Sequence, residues 1–105
     1  MILAEFSKYL QQHNQDIIDG KMSATKYLCR WIAEVIKKNP KNNVDKIVHR
    51  EVILAENSTG DFFITARSDS GRVLVNALYK FALSYENFIM TKWLADKKPH
   101  HFKLP

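Results

Sequence analysis

The sequence predicts an α+β domain: an N-terminal helical hairpin, one β-hairpin and a long C-terminal helix. Three observations predict it. Apolar residues recur at helical spacing through residues 2–36. The turn-forming run Asn57-Ser58-Thr59-Gly60 separates two stretches that can pair as strands. Between Gly71 and Lys97 the polar residues Arg72, Asn76, Lys80, Ser84, Asn87 and Thr91 recur every third or fourth position, on a single stripe. An all-α helical bundle is the alternative, because residues 44–57 also carry a helical pattern.

The first helix is expected over Ile2 to Asp19, with Ile2, Phe6, Tyr9, Leu10, His13, Ile17 and Ile18 on one face. Gly20 suits its end, since glycine adopts the left-handed conformation at little cost. His13 lies beside the apolar stripe and reads as a packing residue. Ser23 is an N-cap for a second helix, Ala24 to about Asn39. Tyr27, Leu28, Trp31, Ile32, Val35 and Ile36 form its apolar stripe, opposite Lys26, Arg30, Glu34 and Lys37. The short connection makes the two helices antiparallel. Cys29 has no local histidine or acid to activate it and reads as structural.

Asn39-Pro40-Lys41-Asn42-Asn43 ends the second helix, because proline cannot continue it and asparagine favours turns. Beyond it, Val44, Ile47, Val48, Val52 and Ala55 fit a helix, while Val48, Val52 and Leu54 fit one face of a strand. The following turn, with asparagine first and glycine fourth, favours a hairpin. The expectation is therefore a short helical turn near 43–48 and strands near 49–57 and 61–67. Ser68 or Ser70 caps the long helix, and Lys97, Lys98 and Pro99 suit its end. At 1.5 Å per residue it would span roughly 40 Å. Its far end near Trp93 either packs under its own tail or meets a partner in a dimer. Residues 1–98 read as a single globular domain and 99–105 as a C-terminal tail.

The formal charge of +5 is unevenly distributed. Residues 1–36 are neutral, 37–50 carry +4, 51–96 carry −2 and the tail carries +3. Basic blocks of this kind attract phosphate backbones or acidic protein surfaces. The candidate nucleic-acid contacts are Lys37, Lys38, Lys41, Lys46 and Arg50, with Arg67 and Arg72 flanking the hairpin. The aromatic residues Tyr85, Phe88, Trp93 and Phe102 are candidates for a protein-binding surface.

Most catalytic chemistries find no support in the sequence. Gly20, Gly60 and Gly71 are too far apart to make a phosphate-binding loop, and there is no nucleophile elbow. One cysteine allows neither an internal disulfide nor a thiolate metal site. His100 and His101 lack further ligands, so neither a metal nor a cofactor is expected. A strand would place His49 and Glu51 on one side, an acid–base pair without a nucleophile. Glu5 and Lys8 interrupt any signal-peptide core, and no apolar run is long enough to span a bilayer. With the single cysteine, these features suit a reducing, cytoplasmic setting.

The chain is thus expected to be a small, basic, non-catalytic module. It contacts a nucleic-acid backbone or nucleoprotein complex through residues 37–50, in a regulatory or accessory role, with a homodimer through the long helix left open beside a monomer. The alternative is a protein-binding adaptor, inhibitor or small subunit acting through an aromatic surface around the long helix.

Overall fold

The computed structural model describes residues 2–93, the side chain of Trp93 excepted. Its elements are α1 (Ile2–Gln11), α2 (Asn14–Ile18), α3 (Ala24–Ile36), α4 (Asn43–Glu51), β1 (Val52–Glu56), β2 (Phe62–Ala66) and α5 (Asp69–Phe88). A π-helical turn, Ile89–Trp93, extends α5. The architecture is the α+β one that the sequence predicts. The two strands pair antiparallel with Val52 opposite Ala66, Leu54 opposite Ile64 and Glu56 opposite Phe62, which sets aside the all-α bundle.

The core gathers around α3. Leu28, Trp31, Ile32 and Val35 meet Phe6 and Leu10 of α1, Val48 of α4, Val52 and Ile64 of the hairpin, and Leu78, Phe81 and Tyr85 of α5. Phe6 stacks on Trp31 at 5.2 Å and tilts against Phe81 at 5.9 Å, so one ring ties three helices together. Burying each large apolar side chain contributes about 1.5–3 kcal/mol.

The predicted first helix is broken at Gln12 and His13. The His13 N–H bonds to the Leu10 carbonyl at 2.9 Å, three residues back, which tightens the turn. Contacts from distant parts of the chain favour the break. The His13 ring stacks on Tyr27 at 4.4 Å and lies 4.7 Å from Tyr9. The Tyr85 hydroxyl donates to the Asn14 amide oxygen. Gly20, at φ 73°, closes α2 as expected, with Gly20 N–H on Ile17 O and Lys21 N–H on Asp16 O. Ser23 caps α3 by accepting from the Lys26 N–H at 3.2 Å. That helix ends at Ile36, three residues short of the expected Asn39.

The short helical turn expected near 43–48 is a longer helix, and the strand starts only at Val52. The cause is a reciprocal cap. The Asn42 Oδ1 accepts the Asp45 N–H at 2.9 Å, while the buried Asp45 carboxylate accepts the Lys41 N–H at 3.1 Å. With its first turn secured, the helix runs on to Glu51 despite its β-branched residues. At the hairpin tip the Gly60 N–H bonds to Asn57 O at 3.1 Å, with Gly60 at φ 84°, as the turn chemistry requires. Ser68 is the N-cap of α5, which starts two residues before the predicted Gly71. The predicted residues 94–97 of that helix, and the residues that follow, lie outside the described residues. Nor is α5 surrounded on all sides. It packs on α3 and β2, and leaves Val73 and Leu83 71% and 53% exposed.

Candidate functional site

The sequence-predicted cations cluster where α3 turns into α4. Lys37 and Lys38 follow the last residue of α3, and Lys41 lies in the connection. Lys46 and Arg50 are four apart on α4 and share a stripe with Asn43. All five cations and Asn43 are exposed. Of the acids of this region, Asp45 is turned inward, while Glu51 pairs with Arg50 of the stripe at 3.1 Å. Asp45 is buried and engaged as a cap. Glu51 accepts from the Ser70 hydroxyl at 2.6 Å, from Ser68 and from Arg50 Nε. The Ser70 and Arg50 contacts hold its carboxyl below the usual carboxylate range. The result is an exposed basic strip along one turn and one helix face.

Arg67 joins the far end of this strip. Its N–H bonds to the Glu51 carbonyl at 3.0 Å, which places it beside the end of α4. Arg72 stands one turn into α5, 3.9 Å from Asp69, in an exposed ion pair of small energetic weight. His49 and Glu51 do not form the acid–base pair that a strand would have made. Both lie on α4, and the His49 Nε2–H donates to the Val35 carbonyl at 2.9 Å, tying α4 to α3.

The aromatic candidates fare differently. Tyr85 is in the core, 1% exposed, with its hydroxyl on Asn14, so it offers no binding surface. Its place is set by α5 turning that side onto α3, a burial that the mostly apolar circumference of the helix did not reveal. Phe88 is half-buried against the core. Trp93 ends the π-helical turn, and Phe102 lies outside the described residues.

The sequence reading missed a cleft. About 700 Å³ of space lies between α3, the hairpin tip and α5, walled by Cys29, Ala33, Phe62, Phe63 and Tyr79. Phe62 and Phe63 are 38% and 46% exposed. The Tyr79 hydroxyl stands 3.8 Å from the Cys29 thiol. Burial, then the Cys29 contact, pushes that hydroxyl up to about 12. Lys26, Arg30 and Lys37 line the rim together with Glu34 and Asp61. The Lys37 ammonium sits 4.8 Å from the centre of the Phe62 ring, so the cleft and the basic strip meet at one residue. The signal available beforehand was the Phe62-Phe63 doublet. Adjacent strand residues face opposite ways, so a two-stranded sheet cannot bury both on one core face.

Among the described residues no group of three or more histidines, cysteines or acids is arranged to hold a metal ion, and no helix is long and apolar enough to cross a membrane. No family model, curated protein or solved structure matches the chain.

Proposed function

We propose that the chain is a non-catalytic binding module that holds a nucleic-acid backbone, alone or within a nucleoprotein complex, on the basic strip of Lys37, Lys38, Lys41, Lys46 and Arg50. One observation carries this reading: these five cations are exposed together, while Asp45 and Glu51 are engaged in hydrogen bonds. Flexible cations around a helix that exposes Asn43, Lys46 and Arg50 suit contact with phosphates, and Arg67 extends the footprint. Helices followed by α4 and then directly by a β-hairpin are also the element order of winged-helix modules, a likeness of architecture alone.

The test is fluorescence anisotropy with labelled oligonucleotides between about 50 and 200 mM salt. Binding should weaken steeply with salt, because bound phosphates release counterions. The triple substitution Lys37→Glu, Lys38→Glu, Lys41→Glu should abolish it. No binding at the lowest salt overturns the proposal. A second reading, a protein-binding adaptor or a homodimer built on α5, is favoured by the exposed Val73 and Leu83. Such an apolar contact would be nearly indifferent to salt, so sedimentation of the chain across the same salt range separates the two readings.

A further inference from the structure

We propose that the cleft between α3 and the hairpin receives an unpaired nucleobase, so that the polymer held on the basic strip is single-stranded. This rests on the preceding reading of the strip. The cleft opens onto that strip without a gap, because Lys37 belongs to both: it begins the run of cations and its ammonium lies over the Phe62 ring. Two phenylalanines kept 38% and 46% exposed at the cleft are poor choices for a solvated hairpin tip and good ones for stacking. A base within a duplex already has both faces stacked, whereas an unpaired base has a face to give.

The surroundings complete the chemistry. Lys26 and Arg30 on α3, with Lys37 just past its end, line the cleft over about three helical turns, a span of about 16 Å. They make a row of positive charge along that edge, interrupted by Glu34 between Arg30 and Lys37. Of the two acids on the rim, Asp61 accepts from the Thr59 hydroxyl at 3.1 Å and Glu34 is the one carboxylate on the α3 side. With Lys38 and Lys41 beyond the rim, the net charge along the path is positive. The Tyr79 hydroxyl and Cys29 thiol supply polar groups to meet the edge of a base. A volume near 700 Å³ is within the usual range for small-ligand pockets, about 300–1,000 Å³.

The test compares an oligothymidylate of about 12 nucleotides with a duplex of the same length at low salt. The wild-type chain should prefer the single strand. Phe63→Ala should weaken single-strand binding by about 5- to 150-fold, the range for losing one stacked base, and leave duplex binding unchanged. Phe63→Tyr, which keeps a flat ring, should restore it. Cys29 is the one thiol in the chain, so its alkylation by a maleimide reports on the cleft and should slow when the oligothymidylate is bound. Equal affinity for both polymers with Phe63→Ala neutral, or an alkylation rate that the oligothymidylate does not change, overturns the cleft while leaving the strip in place. Binding of neither polymer overturns the strip, and the cleft proposal with it.

Discussion

Gly71 is a residue whose identity is fixed by Glu51, distant in sequence yet in contact in space. A Cβ built on it would stand 2.4 Å from the Glu51 carbonyl oxygen. The first turn of α5 rests directly on the end of α4, and no side chain fits between them. Gly71→Ala should therefore destabilise the fold by about 1–3 kcal/mol, the usual cost of overpacking. Gly20→Ala gives the comparison. A Cβ there meets nothing within 4 Å, so its cost is only that of the left-handed backbone, about 1–2 kcal/mol. Denaturant unfolding measures both, and a thermally silent Gly71→Ala would mean that the α4–α5 contact is loose. Nothing in the sequence around Gly71 reveals this role, because the serines beside it read simply as a turn. His13 shows the same limit. Its packing role was legible from its place beside the stripe, but its stacking on Tyr27, and the helix break that accompanies it, were not.

At the scale of the element, caps and stripes made most of the fold readable. Gly20, Ser23 and Ser68 mark helix ends where the structure has them. The length of α4 was misjudged because Val48, Val52 and Leu54 fit one face of a strand ahead of the Asn57–Gly60 turn, while the Asn42–Asp45 cap favours a helix. The cap prevails, since it satisfies backbone donors that no strand composition could satisfy at that point. Asn42→Ala should cost about 1 kcal/mol in denaturant unfolding, and Asn43→Ala, one residue into the helix, much less. Losing the cap should also lower the helical signal in circular dichroism. An unchanged stability in Asn42→Ala would place the start of α4 under the control of Asp45 alone. The cleft, by contrast, was illegible at this scale. Its walls come from α3, from the hairpin tip and from Tyr79, and only the folded chain brings these together.

For the molecule as a whole, the tyrosines set an alkaline limit. Burial pushes Tyr9, Tyr79 and Tyr85 from 10 up to about 12. The folded state thus keeps these hydroxyls protonated over a range where the unfolded chain gives up its protons. Their contribution is complete below pH 10 and is lost progressively as pH rises from there to about 12. The denaturation midpoint should fall between about pH 8 and about pH 11, and a midpoint that stays level would show these hydroxyls open to water.

The bond from the Ala24 N–H to the Glu86 carboxylate, 2.8 Å long, bridges 62 residues of chain. That of Tyr85 to Asn14 bridges 71. Both close only when α5 arrives. During synthesis the ribosome delivers the first three helices well before their partner, so Phe6, Leu28 and Ile32 must wait, uncovered, for the C-terminal part of the chain to emerge. A fold closed by its last described helix in this way stays open until α5 has emerged, and a chaperone has most to cover in that interval.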